Sequence, residues 1–103
     1  FDWDDANGAW DKLMEEAAEF KREAEKMDRE KMESEMGDLI FSIINVSRLY
    51  KINPENALEK TNKKFISRFN YLEQKAISTG RKLNEMTLSE MDELWDEAKS
   101  KGL

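Results

Sequence analysis

Cysteine and histidine, two residue types that carry much of protein chemistry, are absent from this 103-residue sequence. Without cysteine the chain has no disulfide, no thiolate nucleophile and no Cys-ligated zinc or iron–sulfur site. Without histidine it has no Ser–His triad, no His-ligated zinc and no usual general base near neutral pH. Any catalysis must therefore use carboxylates, amines, hydroxyls, amides and a bound metal ion.

The sequence also lacks an excess of positive charge and a long hydrophobic run. Its 17 basic and 23 acidic side chains give a net charge of −6, which argues against nucleic acid or an anionic membrane as a partner. The longest apolar stretch, residues 39–46, is far shorter than the about 20 residues of a transmembrane helix. We expect a cytoplasmic protein with a single domain, residues 1–103. Because it begins at Phe1 and not Met, we expect it to be part of a longer chain.

Glycine and proline are scarce, with four and one residues, and good helix formers are plentiful, which favours an all-α fold. Apolar residues recur at i, i+3, i+4 and i+7, the pattern of amphipathic helices. The four predicted helices run from Asp5 or Asn7 to Met27, from Asp28 to Tyr50, from Asn53-Pro54 to about Thr79-Gly80, and onward from the capping box Thr87-Leu88-Ser89-Glu90.

The second predicted helix is hydrophobic around most of its circumference, because Phe41 and Leu49 fall outside its main apolar arc. A helix that is apolar on most sides is buried on most sides. Three neighbouring helices from so short a chain hardly suffice to cover it. We therefore expect a helix bundle of about four helices per chain, completed by homodimerisation or a larger homo-oligomer.

Two acidic pairs lie on the first two predicted helices: Glu16 with Glu19, and Glu35 with Asp38. Residues three apart share a helix face, so facing helices could gather four carboxylates, a site for a hard divalent cation and chiefly Mg²⁺. The alternative is a solvated acidic face. The same spacing also occurs in Glu25/Asp28, Glu30/Glu33, Glu90/Glu93 and Glu93/Asp96.

Helical phase favours the first two pairs. At about 100° per residue, each pair lies at the same edge of its helix's apolar face, so the pairs can converge when the helices pack. Ser42 and Asn45 continue the face of Asp38 and are polar groups within the most apolar helix.

The third predicted helix carries Lys60, Lys64 and Arg68 along one side. Ordinary surface charge is the alternative to a binding role. Asn62 lies on the apolar arc of this helix, where a buried amide without a partner costs about 1–3 kcal/mol. A carboxylate cluster, a metal-coordinated water or a phosphate would provide that partner, and so would a neighbouring helix.

Three tryptophans could stack on a nucleotide base. Trp10 and Trp95 occupy helical apolar positions, where a core role is the alternative. Trp3 precedes the first predicted helix and is less readily explained by core packing.

These residues resemble the signature of the MazG family of nucleoside triphosphate pyrophosphohydrolases. The similar segments are Lys12-Leu-x-Glu-Glu16-x-x-Glu19, Glu35-Met-Gly-Asp38-Leu-Ile-Phe, and Lys60-x-Asn62-x-Lys64-Phe65-x-x-Arg68-Phe69. The opening Phe1-Asp2-Trp3 and the closing Met91-x-x-Leu94-Trp95 look like the second domain of tandem MazG proteins.

The resemblance implies an all-α enzyme, at least dimeric, that hydrolyses an NTP or dNTP to the monophosphate and pyrophosphate. It implies Mg²⁺, with Mn²⁺ as the alternative, bound by four catalytic acids: Glu16, Glu19, Glu35 and Asp38. It also implies that Lys64 and Arg68 contact phosphates, that Asn62 orients phosphate or a metal-coordinated water, and that Trp95 meets the base. Lys12 is carried over as a further substrate contact.

The chemistry of the residues agrees with this activity. Mg²⁺ can bridge carboxylates and phosphates, and a water activated by the metal is the simplest nucleophile, with Glu15, Glu16 or Glu19 taking its proton. The first hypothesis is therefore an Mg²⁺-dependent nucleotide pyrophosphatase with a role in cleansing nucleotide pools. The alternatives are an all-α dUTP or dCTP pyrophosphatase and a non-catalytic helical dimerisation module.

Overall fold

The computed structural model describes residues 5–103, which form four α-helices and no strand. The all-α class is confirmed, and the predicted helix ends agree with the observed ones to within about two residues. A short 3-10 helix between the last two α-helices was not predicted. The elements are α1 (Ala6–Lys26), α2 (Arg29–Leu49), α3 (Pro54–Ser78), the 3-10 helix (Leu83–Glu85) and α4 (Leu88–Ser100).

A tight connection joins α1 to α2, and the two helices form one compact unit. Met27 ends α1 in the left-handed conformation, with φ 58°. Asp28 then begins α2 by accepting a hydrogen bond from the backbone N–H of Lys31 at 3.2 Å. Only Met27 and Asp28 separate the two helices, so the chain reverses at once and the helices pack along each other.

The open end of this helical hairpin is joined by a side-chain hydrogen bond. Trp10 Nε1 donates to the hydroxyl of Tyr50 at 3.0 Å, which links the start of α1 to the end of α2. The Trp10 side chain is 44% exposed, so it lies at the edge of this unit and not in its core. The buried apolar side chains of the hairpin include Ala9 and Val46.

A second compact unit contains α3, the 3-10 helix and α4. Its buried apolar residues are Leu72, Ala76 and Ala98, and the hydroxyl of Tyr71 donates a hydrogen bond to Glu97. The glycine that was predicted to end α3, Gly80, has φ 72°, a conformation that favours glycine.

Arg81 and the capping box of α4 hold the connection between α3 and α4. Thr87 Oγ1 accepts from the backbone N–H of Glu90 at 3.1 Å, and the Glu90 carboxylate accepts from the backbone N–H of Thr87 at 3.2 Å. The Arg81 guanidinium donates to the same carboxylate and, at 2.6 Å, to the carbonyl of Glu85. One arginine thus ties the 3-10 segment to the first turn of α4.

Large apolar side chains on α2 and α3 remain exposed in the single chain. On α2, Phe41 is 61% exposed and Ile44 is 47% exposed. On α3, Leu58, Phe65 and Ile66 are each more than half exposed. The expected burial of α2 on most sides is therefore not achieved by the described chain alone. No described helix has the length and apolar composition needed to cross a membrane.

The contacts of Glu90 predict a specific pH dependence of stability. The hydrogen bond from Arg81, followed by the one from the Thr87 backbone, lowers the pKa of Glu90 from 4.5 to about 2. A lowered pKa contributes stability above the unfolded value, and that contribution is lost as the pH falls through the folded value. Glu90→Gln should therefore lower the free energy of unfolding near neutral pH, and the difference from wild type should shrink as the pH falls from 4.5 towards about 2.

Urea unfolding followed by circular dichroism at several pH values measures this difference. Glu93→Gln is the matched control, because Glu93 lies on the same helix and is exposed. A Glu90→Gln deficit that does not change with pH would contradict the assignment.

Candidate metal centre and the adjoining pocket

Three acidic side chains converge where α1 packs on α2. Glu16, Glu35 and Asp38 each offer a carboxylate oxygen, and these oxygens lie within 4.8 Å of one another. Glu16 is buried, with 5% exposure, whereas Asp38 is exposed. The cluster therefore runs from the helix interface to the surface of the hairpin, so a ligand could reach it from solvent.

Glu19, the fourth predicted ligand, lies outside this group of three but interacts with Glu35. Burial, the charge of Glu19 and a hydrogen bond with Glu19 raise the pKa of Glu35, and the charges of Asp38 and Glu16 add to the effect. The four predicted acids thus form one electrostatic group in which like charges oppose ionisation.

Buried carboxylate oxygens in this group lack partners. One oxygen of Glu16 and one of Glu35 are buried without a hydrogen-bond partner among the described residues. The other Glu16 oxygen lies 2.8 Å from Lys12 Nζ, and this contact raises the pKa of Lys12. Because a buried anionic oxygen without a partner is costly, a bound cation would stabilise this group of carboxylates.

The dimensions and chemistry of the cluster fit a hard divalent cation. Mg²⁺ binds oxygen at about 2.1 Å in octahedral geometry, so ligands on opposite sides of the ion lie about 4 Å apart. Carboxylate oxygens already within 4.8 Å of one another need only a small contraction to reach that spacing. The donor set is entirely oxygen, which suits Mg²⁺ or Mn²⁺.

The other acidic pairs with the same spacing are not gathered in this way. Across residues 5–103, the carboxylates that come together as a candidate metal site are those of Glu16, Glu35 and Asp38. Glu30 and Glu33, for example, lie on α2 and are both exposed. Position relative to the apolar face, and not the spacing alone, distinguishes the clustered acids.

A pocket of about 270 Å³ adjoins the acidic cluster. Its lining residues are Ala9, Lys12, Glu16, Asp38, Phe41, Ser42 and Asn45. Ser42 Oγ donates to the carbonyl of Asp38 at 3.0 Å. Asn45 Oδ1 accepts from the guanidinium of Arg48 at 3.1 Å. The pocket is therefore lined by charged groups together with neutral polar and aromatic groups of α2.

The predicted basic residues of α3 and the predicted aromatic residue of α4 lie in the second compact unit. Arg68 Nε donates to the carbonyl of Leu103 at 2.8 Å, and its guanidinium lies 5.4 Å from the centre of the Trp95 ring. Trp95 also packs against Phe65, with 5.4 Å between ring centres. Lys64 is exposed, as is Lys60.

The expected burial of Asn62 is wrong for the described chain. Asn62 is exposed because the apolar residues around it, Leu58, Phe65 and Phe69, are themselves 60%, 55% and 41% exposed. Its predicted need for a buried partner therefore does not arise within this chain. The segment Phe1-Asp2-Trp3, including the proposed stacking residue Trp3, lies outside the described residues.

Arg48 is the residue of this region that the sequence analysis missed. Asn45 and Arg48 are three residues apart on α2 and so share a face. That spacing is visible in the sequence, and it could have identified the arginine as the partner of the only asparagine on the apolar helix.

Comparisons of the sequence with known proteins identify its family. The sequence model of the MazG nucleotide pyrophosphohydrolase domain matches residues 8–72, which include both acidic pairs. The chain therefore belongs to the MazG nucleotide pyrophosphohydrolase domain family.

Three relatives carry the comparison further. The chain is 41% identical over 99 residues to the nucleoside triphosphate pyrophosphohydrolase/pyrophosphatase MazG of Thermotoga maritima, with 96% of this chain covered. It is 37% identical over 101 residues to the nucleoside triphosphate pyrophosphohydrolase of Escherichia coli, again with 96% covered. It is 50% identical over 68 residues, or 66% of this chain, to the uncharacterized protein YabN of Bacillus subtilis.

The relatives are much longer than this chain. The match covers 38% of the Thermotoga maritima and Escherichia coli proteins and 14% of YabN. The similarity thus concerns one part of each relative.

The raised pKa of Glu35 predicts how stability responds to pH without metal. A carboxyl whose pKa is raised by folding destabilises the ionised protein, and this penalty is relieved as the pH falls through the raised value towards 4.5. Glu35→Gln should therefore raise the free energy of unfolding near neutral pH in the presence of EDTA. The advantage over wild type should shrink on acidification.

Urea unfolding in EDTA measures the difference, and Glu33→Gln, an exposed acid on the same helix, is the control. Lower stability of Glu35→Gln at neutral pH would contradict the repulsion inferred for this cluster.

Proposed function

We propose that this domain hydrolyses nucleoside triphosphates, NTP or dNTP, to the monophosphate and pyrophosphate, using Mg²⁺ bound by Glu16, Glu19, Glu35 and Asp38. The observation that carries the proposal is the convergence of three carboxylates from α1 and α2, two of them with buried oxygens that have no hydrogen-bond partner within residues 5–103. Family membership supports the reaction class. The names of the Thermotoga maritima and Escherichia coli relatives describe nucleoside triphosphate pyrophosphohydrolases.

In this proposal the carboxylates bind and orient the cation, and the positive charge of Lys12 offsets part of the negative charge of the acidic cluster. Bound Mg²⁺ supplies charge neutralisation at the phosphates and activation of water. Glu16 is held by Lys12 through one oxygen and offers the other to the site. Glu15 is 3.7 Å from the same lysine, and Glu15, Glu16 or Glu19 accepts the proton of the attacking water.

The resemblance to the family also suggests substrate contacts for residues of α3 and α4. Lys64 and Arg68 would contact phosphates, and a positive side chain there would stabilise the departing pyrophosphate. Asn62 would orient phosphate, and its exposure leaves its amide accessible. Trp95 presents a partly exposed ring next to Arg68, so it could stack on a base.

The proposed role is the removal of unwanted nucleotides, and the proposed location is the cytoplasm, where nucleotide pools are found. Because the chain matches only part of the length of its relatives, these assignments concern this domain.

Product analysis tests the activity directly. The chain should convert NTPs to NMP and pyrophosphate when Mg²⁺ is present, lose this activity in EDTA, and regain it with Mg²⁺ or Mn²⁺. Asp38→Asn should lower kcat/KM by at least about 100-fold, since the loss of residues that merely support metal ligands already costs about 10- to 100-fold. Quantifying NMP and pyrophosphate by chromatography gives the rates.

Glu33→Gln is the matched control, because Glu33 belongs to an acidic pair with the same spacing that is exposed. It should retain wild-type activity and a wild-type response to Mg²⁺. If wild type releases no NMP, or if Asp38→Asn and Glu33→Gln are equally active, the proposal fails and a non-catalytic helical module is favoured. Preferential cleavage of dUTP or dCTP would instead favour the specialised pyrophosphatases.

We also propose that the chain forms a homodimer or a larger homo-oligomer through the apolar faces of α2 and α3. The exposed side chains on these helices, among them Ile40, Ile43, Ile44, Phe65 and Phe69, exceed the scattered apolar residues normal for a monomer surface. A second copy would bury them and provide the cover that α2 lacks in one chain.

A charge placed on this face should prevent assembly. Ile44→Glu is expected to convert the oligomer to a monomer, because an unpaired charge in an apolar interface is costly. Light scattering coupled to size-exclusion chromatography measures the mass. Leu88→Glu is the control, since Leu88 is 72% exposed in the first turn of α4, where an acid is favourable. A monomeric wild type would contradict the proposal.

A further inference from the structure

Asn45 is a buried polar side chain that the reaction proposed above does not use. It is 9% exposed and lines the pocket that adjoins the acidic cluster. Its Nδ2 group is buried and has no hydrogen-bond partner among the described residues. A buried donor without an acceptor is unfavourable, so this amide calls for a partner that the described chain does not provide.

Arg48 fixes which end of the amide remains available. Both Nε and one terminal nitrogen of the Arg48 guanidinium donate to Asn45 Oδ1, at 3.4 and 3.1 Å. An arginine has no acceptor atom, so the amide cannot be reversed without losing both bonds. The group left for a further partner is therefore the N–H donor, and the missing partner is an acceptor.

The position of Asn45 along α2 sets its distance from the acidic cluster. It lies seven residues after Asp38, which is about 10 Å along the helix axis at about 1.5 Å per residue. A triphosphate bound at the carboxylates would keep its phosphate oxygens near Asp38 and Glu16. A substrate whose nucleoside runs along α2 would bring its base, the part most distant from the phosphates, to Asn45.

The rest of the pocket suits a nucleoside. Phe41 offers an aromatic surface and Ala9 a small apolar one, beside the acids and Lys12. A volume of about 270 Å³ is just below the range of about 300–1,000 Å³ for ligand sites, which suits one part of a nucleotide and not the whole molecule.

We propose that Asn45, oriented by Arg48, is a specificity residue whose Nδ2 donates a hydrogen bond to an acceptor atom of the nucleotide base, a carbonyl oxygen or a ring nitrogen. This inference rests on the proposed function for the class of ligand. It adds a base contact on α2 that acts through binding and takes no part in holding the metal.

Binding of uncleavable nucleotides tests this role separately from catalysis. The 103-residue chain is titrated, with Mg²⁺ present, with α,β-methylene nucleoside triphosphates and with the corresponding base-free compound, ribose 5-(α,β-methylene)triphosphate. Wild type should bind at least one nucleotide more tightly than the base-free compound. Asn45→Asp keeps an oxygen for Arg48 but replaces the N–H donor with an acceptor, so it should weaken nucleotide binding about tenfold, as expected for a lost hydrogen bond.

The base-free compound separates this effect from a general one. An added charge that merely repels triphosphate would weaken the binding of both ligands equally, whereas the loss of a base contact weakens only the binding of the nucleotide. Asn45→Leu, which removes the amide without adding charge, should show the same selective loss. Asn70→Asp makes the same chemical change at an exposed position and should bind both ligands like wild type.

Equal weakening of both ligands by both Asn45 variants, no weakening by either, or a wild type that does not distinguish the nucleotide from the base-free compound would overturn the assignment. Parallel measurement of pyrophosphate release keeps the two hypotheses distinct. A chain with base-dependent binding that releases no pyrophosphate would retain the role of Asn45 and refute the proposed hydrolysis.

Discussion

Repulsion among carboxylates that the packing of α1 on α2 forces together is the constraint on which the candidate site depends. Glu16 and Glu35 bring charge into a partly buried helix interface, and Asp38 completes a group within 4.8 Å. Without a cation this arrangement opposes ionisation of Glu35, so the fold maintains a cost at this position. Such a cost is typical of a functional site, where perturbed titration accompanies chemistry. Lys12 pairs with one oxygen of Glu16, and the other oxygen has no hydrogen-bond partner among the described residues.

The helices and their ends could be predicted because the signals are local. Asp28 is an N-cap, Gly80 is a left-handed C-terminal position, and Thr87 opens a capping box, and each acts on backbone groups within a few residues. The 3-10 helix was missed because it depends on Arg81, whose bonds to Glu85 and Glu90 are not encoded in a periodic pattern.

The acidic cluster was predicted in outline because helical phase places both pairs at the edge of an apolar face. Phase does not report how far each side chain reaches, so it did not separate Glu19, which contacts Glu35, from the group of three. The burial of Asn62 could not be predicted correctly, because an apolar arc indicates which face seeks cover and not whether one chain provides it. The partnership of Asn45 with Arg48 depends on rotamers, which lie beyond what spacing alone can give.

Because the link between α1 and α2 has only two residues, the number of residues between the two acidic pairs matters for the site. Helix connections usually tolerate insertions, but here the stretch between Glu19 and Glu35 sets the angular register of one acidic pair against the other. A single residue added within either helix of that stretch would rotate the following part by about 100°. Relatives of this domain are therefore expected to vary freely at the surface positions of this stretch, whereas the number of residues in it is expected to stay constant.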